Sequence, residues 1–156
     1  MRIVVLSRSR NLHSTRRLLA EAAKLGVECA IVNPLRCQLV VSKAGPQICI
    51  HGKPLENVDV VVPRIGTSIT EYGLLVVRQF EVMGIPVVNG AQAILESRNK
   101  FRSLQTCSSR NIDMPLSVIA RSVSDLPSAM RQVQKFPMVM KLLQGSQGIG
   151  VMLGHD

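Results

Sequence analysis

Short apolar segments alternate with amphipathic ones along the chain, and this alternation restricts the possible folds more than any other feature of the sequence. The first apolar segment, Arg2–Leu6, is a nearly continuous run of the kind found in buried strands. The next segment, Ser14–Leu25, has the spacing of a helix. Its predicted N-cap is Ser14 or Thr15, and Gly26 lies just past its end. Strands that alternate with helices predict an α/β fold with a mainly parallel sheet and right-handed crossovers.

The remaining predicted elements continue this pattern. Further strands are expected at Glu28–Val32, Val58–Val62, Pro86–Val88, Leu116–Ala120, Pro137–Leu142 and Val151–Leu153, with a hairpin formed by Gln38–Ser42 and Gln47–His51. Further helices are expected at Thr70–Met83, Ala91–Glu96, Ser97–Arg110 and Ser124–Lys135. We expect the domain boundary within residues 95–115, so that residues 1–95 form one α/β domain and residues 96–156 begin a second unit.

The composition indicates a cytoplasmic protein. No apolar segment approaches the ~18 residues that a membrane span requires, and the Met-Arg start lacks the apolar region of a signal peptide. The four cysteines have no metal-ligand spacing with one another or with the three histidines. We therefore expect reduced thiols that are buried or half-buried.

Positive charge is the second strong feature of the sequence. Lys and Arg number 19 against 10 Asp and Glu, which gives a net charge of +9. The first twenty residues contain five arginines and no acidic residue, and a second basic group comprises Arg98, Lys100, Arg102 and Arg110. This balance predicts an anionic partner such as nucleic acid, phosphate or an acidic peptide. One Tyr, three Phe and no Trp offer few stacking platforms, which disfavours single-stranded nucleic acid.

Two loops at the predicted carboxyl edge of the sheet carry candidate substrate-binding residues. Ligands of open parallel sheets bind at this edge. The candidates are Arg8 and Arg10 after the first strand, and Arg64, Gly66 and Thr67 after the valine-rich strand. Arg64 lies on a turn, a suitable place for an arginine that contacts a carboxylate. The alternative is a surface arginine or one paired with Glu71.

A lysine followed by a glycine loop lies near the end of the sequence. Lys141 ends an apolar segment that begins at Pro137, and three glycines follow it at Gly145, Gly148 and Gly150. Glycines let backbone N–H groups approach an anion and the lysine adds a positive charge, so this unit predicts phosphate binding. The alternatives are a solvated lysine and a loop that has no binding role.

Five motifs give the chain a resemblance to a known family. They are Ile3-Val4-Val5-Leu6-Ser7-Arg8, Val62-Pro63-Arg64-Ile65-Gly66-Thr67, Arg78-Gln79-Phe80-Glu81, Lys100-Phe101-Arg102-Ser103 and the run from Lys141 through Gly150 to Val151. In the order and spacing of these motifs, the chain resembles the amino-terminal half of the RimK-type glutamate ligases of the ATP-grasp superfamily. The resemblance implies a pre-ATP-grasp domain followed by the first, incomplete part of an ATP-grasp module.

The resemblance also implies an activity and a set of binding residues. ATP would phosphorylate a carboxylate, and an amine would attack the acyl phosphate to form an amide. Free glutamate would be joined to the acidic carboxyl-terminal peptide of a ribosomal protein or to a similar acidic peptide. Lys100 and Lys141 resemble the lysines that contact nucleotide phosphate, and the loop that closes over the phosphates corresponds to Gln144, Gly145, Ser146, Gln147 and Gly148.

The magnesium ligands expected of an ATP-grasp enzyme have no counterpart in this sequence. Asp125 and Asp156 are the only acidic residues after Asp113, and neither lies in a ligand cluster. We therefore expect no metal site here and a ligase fragment that is inactive alone, with the ligands for Mg²⁺ in a missing carboxyl-terminal part. The alternatives are a non-catalytic basic module that binds ribosome, RNA or acidic peptide, and a nucleotide-binding regulatory domain. Residues 116–153 are too few to cover their own apolar face, so we expect two copies of the chain to pair through them in a homo-oligomer. The alternative is a segment that is mobile.

Overall fold

The structure is a computed structural model that describes residues 1–143, 148 and 150–155. By internal packing the chain divides into two units, Met1–Ile94 and Leu95–Asp156. The helix α3 (Ala91–Arg98) contains this division.

The first unit is built on a three-stranded parallel sheet. Its strands are β1 (Arg2–Leu6), β2 (Glu28–Val32) and β6 (Val60–Pro63), in the order β2-β1-β6. The central strand β1 pairs with β2 from Arg2 opposite Glu28 to Leu6 opposite Val32, and with β6 from Ile3 opposite Val60 to Leu6 opposite Pro63. The predicted parallel sheet is confirmed, and both flanking strands end at the same edge as β1.

The predicted strand Pro86–Val88 is shorter than expected. It forms a single parallel bridge, in which Val61 N donates to Pro86 O and Val88 N donates to Val61 O, both at 2.9 Å. Proline has no N–H to continue such a ladder, so the pairing stops after one residue of β6.

A small antiparallel sheet follows β2. It comprises β3 (Cys37–Ser42), β4 (Gly45–Ile50) and β5 (Lys53–Pro54), in the order β3-β4-β5. The hairpin of β3 and β4 was predicted, whereas β5 was not. The first unit therefore contains two separate sheets, one parallel and one antiparallel.

Two helices cover the first unit. They are α1 (His13–Lys24) and α2 (Thr70–Val82). The predicted N-cap of α1 is wrong, because Leu12 occupies that position and no side chain caps the helix. The hydroxyl of Thr15 is instead 2.8 Å from Ser7 Oγ in the interior. Gly26 follows the helix with a φ of 64°, a left-handed conformation that glycine adopts without strain.

The main hydrophobic cluster of the described residues lies within the first unit. It joins Val4, Leu6 and Val61 of the parallel sheet to Val76, Val77 and Phe80 of α2, and Cys37 and Ile48 of the antiparallel sheet complete it. Because α2 packs on the sheet, the loops at the carboxyl ends of β1, β2 and β6 have a rigid support.

The second unit contains two further helices and a two-stranded sheet. These are α4 (Lys100–Ser109), α5 (Leu126–Val133), β7 (Met138–Lys141) and β8 (Val151–Gly154), with β7 and β8 antiparallel. The helix predicted over Ser97–Arg110 begins later, because Asn99 is its N-cap and accepts hydrogen bonds from the backbone N–H groups of Phe101 and Arg102. Leu116–Ala120, predicted as a strand, has no strand partner in the described part of the chain and adopts no regular structure. Among the described residues, every helix is too short or too polar to cross a bilayer.

Candidate functional site

The loops after β1 and β6 meet at the carboxyl edge of the parallel sheet. Arg8 Nη1 donates to Ser68 Oγ at 2.9 Å, and the backbone N–H of Arg64 donates to Leu6 O at 2.8 Å. The structure therefore brings the predicted binding loops of Arg8 and Arg64 together, across 60 residues of sequence between Arg8 and Ser68.

A buried pair of hydroxyl groups fixes the start of the first loop. Ser7 Oγ and Thr15 Oγ1 lie 2.8 Å apart, and both residues are buried. Ser7 Oγ also donates to Ser9 O at 3.1 Å, and the backbone N–H of Ser7 donates to Val32 O at 2.9 Å. These bonds tie the loop to α1 and to β2, so the arginines that follow Ser7 start from a fixed backbone.

A cleft of about 300 Å³ opens beside this loop. It is lined by the β1 loop, by the end of β2 with the turn after it, and by the end of β4 with the residue that follows, which together contribute Ser7, Arg8, Ser9, Arg10, Ile31, Val32, Asn33, Arg36, Ile50 and His51. Three arginines and a histidine thus line the same cleft as three aliphatic side chains, and no acidic residue among those described lines it.

No carboxylate of a described residue forms an ion pair with the arginines of this cleft. The ion pairs between described residues involve the amino terminus, Arg2, Arg17, Lys24 and Arg78. Arg8, Arg10 and Arg36 are exposed and belong to none of them. The field in the cleft is therefore positive, and an anion is the ligand it favours.

The second predicted loop is placed beside the cleft and does not line it. Arg64 is exposed, and among the described residues it forms no ion pair with Glu71, the alternative partner considered from the sequence. Gly66 precedes a short 3-10 turn, Thr67–Ile69, and Thr67 O accepts a hydrogen bond from Thr70 Oγ1 at 2.9 Å. The loop that contains these residues contacts Arg8 through the hydroxyl of Ser68, at the carboxyl edge of the parallel sheet.

Sequence reasoning missed Arg36 and His51. Arg36 lies on the short turn Pro34–Arg36 directly after β2, so the rule that ligands bind at the carboxyl ends of parallel strands would have found it. His51 follows β4 with a φ of 51°. Its position depends on how the antiparallel sheet folds back, which no local pattern in the sequence reveals.

Two thiols near the cleft are poor nucleophiles at neutral pH. Burial raises the pKa of Cys37 to about 11. Burial also raises the pKa of Cys29, and the positive charge of Arg10 partly opposes that rise. All four cysteines are free and are buried or half-buried, as predicted. Since the thiolate is the reactive form, neither thiol suits covalent chemistry here.

A second basic region lies at the end of β7 in the second unit. Lys100 Nζ donates to Leu142 O at 3.2 Å and is 3.5 Å from Leu143 O, and Leu142 directly follows Lys141, the last residue of β7. The two lysines predicted to contact phosphate are therefore positioned at one strand end, although α4 and β7 carry them separately.

The hairpin of β7 and β8 forms the frame of this region. Lys141 is exposed opposite Val151, and Leu142 N donates to Gly150 O at 3.0 Å. Gly148 and Gly150 have φ values of 77° and 73°, which glycine adopts without strain. Gln144, Gly145, Ser146 and Gln147, the other predicted phosphate-binding residues, lie outside the described residues.

The groups present suit phosphate and do not suit a divalent cation. The two ammonium groups and the backbone N–H groups of the glycine turn are hydrogen-bond donors, and donors match the anionic oxygens of phosphate. Among the described residues no three His, Cys, Asp or Glu side chains are grouped to hold a metal ion. This region can therefore hold the phosphates of a nucleotide, while carboxylate ligands for Mg²⁺ are not found around it in the described part of the chain.

Two family models match consecutive parts of the chain. The RimK PreATP-grasp domain family matches residues 1–94, and the RimK-like ATP-grasp domain family matches residues 97–156. Among solved structures, a RimK domain ATP-grasp protein from Sphaerobacter thermophilus superposes with a TM-score of 0.70 at 22% identity, over 100% of this chain and 55% of its own. The ATP-grasp ligase PsnB, complexed with a minimal precursor, Mg and ADP, gives a TM-score of 0.69 at 15% identity, over 97% of this chain and 57% of its own. These structural similarities show the fold.

Curated relatives are similar in sequence over nearly the whole chain. A protein of Marinobacter nauticus named probable alpha-L-glutamate ligase is 46% identical over 155 residues, which are 99% of this chain and 52% of the relative. A protein of the same name from Pseudomonas fluorescens is 47% identical over 153 residues, 98% of this chain and 51% of the relative. The chain spans about half the length of the curated relatives it matches. With family matches over 1–94 and 97–156, the chain belongs to the RimK family of ATP-grasp proteins.

Proposed function

We propose that this chain forms the amino-terminal half of an ATP-dependent α-L-glutamate ligase. Residues 1–95 serve as its pre-ATP-grasp domain and residues 96–156 as the start of its ATP-grasp module. The observation that carries the proposal is the meeting of Lys100 with the end of β7 directly after Lys141, beside a glycine turn. Relatives named probable alpha-L-glutamate ligase at 46% identity supply the reaction class.

The lysine region holds ATP through its phosphates. Lys100 and Lys141 contact phosphate oxygens, and Gln144, Gly145, Ser146, Gln147 and Gly148 form the loop that covers them. Mg²⁺, when bound, neutralises phosphate charge. We assign its ligands to the part of the relatives that this chain does not match, because no candidate cluster is found among the described residues. For this reason the chain alone does not turn over.

The reaction joins glutamate to a peptide carboxylate. The acceptor carboxylate attacks the γ-phosphorus of ATP, which releases ADP and forms an acyl phosphate. The amine of glutamate then attacks the acyl carbon, phosphate leaves, and an amide is formed. Positioned ammonium groups stabilise the charge on the transferred phosphoryl group.

The acceptor is an acidic carboxyl-terminal peptide of a cytoplasmic ribosomal protein. Its contacts come from Arg8, Arg10 and Arg64, with Gly66 and Thr67 beside them. Support comes from the net charge of +9 and from the placement of these residues at one sheet edge. The direct test is ATP-dependent addition of glutamate to an acidic peptide, read by the mass of the peptide.

A second candidate function is a non-catalytic basic module that docks on ribosome, RNA or acidic peptide. The arginine cleft favours it, because all of its lining residues belong to the first unit and the two lysines assigned to ATP are not among them. Glutamate addition by a protein that contains this chain would separate the two candidates, since a docking module adds nothing.

A further inference from the structure

The cleft beside β1 differs from a general basic surface in the chemistry of its walls. Arg8, Arg10 and Arg36 face a space that is also lined by Ile31 and Ile50. An inorganic anion gains nothing from the aliphatic wall. A glutamate side chain has two methylene groups and a terminal carboxylate, and it can use both kinds of surface.

Arginine suits the carboxylate end of such a ligand. Its planar fork donates two parallel hydrogen bonds to a carboxylate, and low-dielectric aliphatic neighbours strengthen the attraction. Arg8 is already oriented by its bond to Ser68 Oγ. Since no protein carboxylate pairs with these arginines in the described part of the chain, a ligand need not displace one.

The size of the cleft limits how much ligand it takes. A volume of about 300 Å³ is at the lower end of small-ligand sites. A space of this size accommodates one or two acidic side chains and not a long peptide segment. A longer segment extends beyond the cleft.

Nucleic acid fits these walls less well than an acidic peptide. Among the described residues no Phe, Tyr or Trp side chain lines the cleft, so the cleft offers bases no such stacking platform. Phe80 is buried in the core, and Tyr72 donates its hydroxyl to Cys37 O at 2.7 Å.

We propose that this cleft is a binding subsite for one or two glutamate side chains that precede the carboxyl terminus of the acceptor peptide, with Arg36 and His51 as specificity residues beside Arg8 and Arg10. This assignment rests on the proposed ligase function. It requires an acceptor peptide that carries glutamates before its carboxyl terminus. It acts without nucleotide, because it lies wholly within the first unit. A protein with this subsite selects acceptors that are already acidic near their end.

The test measures peptide binding by the full 156-residue chain without ATP. Fluorescently labelled peptides with one to four glutamates are titrated, with tetraglutamine as the neutral control. We expect affinity to rise with the second and third glutamate and then level off, because the cleft is full. Arg36→Gln should weaken tetraglutamate binding about tenfold, as expected for losing a hydrogen bond to a charged group. His51→Ala should weaken it less.

Lys43→Gln is the matched control. It removes one positive charge at the turn of the β3–β4 hairpin, about 20 Å from His51 by strand rise along β4. Its effect should stay under about twofold. Equal losses in Arg36→Gln and Lys43→Gln would show a general charge effect and overturn the subsite. Thermal melting of each variant confirms that it is folded.

Two competitors test the ligand class. Inorganic phosphate at equal ionic strength should not displace the peptide, and a short RNA should bind more weakly than tetraglutamate. Tighter binding of the RNA, lost in Arg36→Gln, would make the cleft a nucleic-acid site and overturn the proposal. The ligase proposal is tested separately. Absence of glutamate addition would contradict it, whatever the result of these binding measurements.

Discussion

Lys100 Nζ donates a hydrogen bond to the carbonyl oxygen of Leu142, 42 residues further along the chain, at 3.2 Å. This bond places the ammonium group of α4 beside the residue that follows Lys141. In a phosphate-binding role the two positive charges act on the same ligand, and Lys100 has backbone partners that orient it.

Nucleotide binding should depend on both lysines. We expect Lys141→Ala and Lys100→Ala each to weaken binding of an ATP analogue to the chain about tenfold, because each removes a charge-assisted hydrogen bond to phosphate. Lys135→Ala is the control, since Lys135 is exposed and precedes β7 at its other end. The measurement is equilibrium binding of a fluorescent nucleotide at fixed ionic strength. Equal effects of all three substitutions would argue against a phosphate site at the end of β7.

The parallel sheet could be predicted because its strands are defined locally. β1 and β2 have the predicted bounds, since each is a short apolar run that ends at a polar or proline residue. The edge on which Arg8 and Arg64 lie then follows from the rule that parallel strands share their carboxyl ends. Asn99 is a local signal for the true start of the helix predicted over Ser97–Arg110. Asparagine is a strong N-cap residue, and the helix begins directly after it.

Other features depend on contacts that sequence does not reveal. Leu116–Ala120 has strand-like composition, but a strand needs a neighbour, and no strand pairs with it in the described residues. Thr15 is a good N-cap residue that instead bonds Ser7 in the interior. His51 enters the arginine cleft because the antiparallel sheet folds back on itself. Each of these outcomes is set by tertiary packing.

Gly73→Ala should destabilise the protein and disturb the loop of Arg64. Gly73 is buried in α2, and an added Cβ would lie 2.6 Å from Cγ2 of Ile65. Overpacking costs about 1–3 kcal/mol, and the better helix propensity of alanine returns up to ~1 kcal/mol, so we expect a net loss of about 1–2 kcal/mol. Urea denaturation measures it. Gly66→Ala is the control, because its added Cβ meets no atom within 4 Å, and a loss as large as that of Gly73→Ala would contradict the packing argument.

Ionisation of the Cys37 thiol should contribute to a loss of folding stability at alkaline pH. The pKa of its thiol is about 11 in the folded protein, against an ordinary value of 9.0. The unfolded chain therefore loses this proton first. The stabilising contribution is complete below about pH 9, and it declines as the pH rises toward 11, by about 1 kcal/mol at pH ~10.

The Cys37→Ala variant isolates this contribution. Its free energy of unfolding should fall less between pH ~8 and pH ~10 than that of the unchanged protein, because the other titrating groups are common to both. Identical pH profiles for the two proteins would show that the thiol ionises equally easily in the folded and unfolded states.

The second unit should pair with a second copy of the chain. Val139 and Leu153 are opposite one another on β7 and β8, and they are 53% and 54% exposed. Met138 is the only buried apolar residue of this unit among those described, so it has little core of its own. We expect a dimer by light scattering that Leu153→Lys dissociates, while Val41→Lys, at an exposed position of β3, does not.

Limited proteolysis should give a resistant fragment that contains residues 1–95. Dilution of the protein below the dissociation constant of the dimer should expose residues 116–153 to cleavage. In the monomer few contacts offset the ordering entropy of these residues. A monomer in which residues 116–153 resist protease as well as residues 1–95 would contradict the expected pairing.

Glutamate addition to a peptide tests the ligase assignment most directly. The chain, and a chimera of the chain with the carboxyl-terminal half of the Marinobacter nauticus relative, are incubated with ATP, Mg²⁺, glutamate and an acidic acceptor peptide. The intact relative is the positive control, and nucleotide binding by the chimera shows that it is folded. We predict added glutamyl residues in the peptide mass with the chimera and none with the chain alone. Addition by the chain alone would contradict the assignment of the magnesium ligands to the other half, and a chimera that binds ATP but adds no glutamate would contradict the ligase function itself.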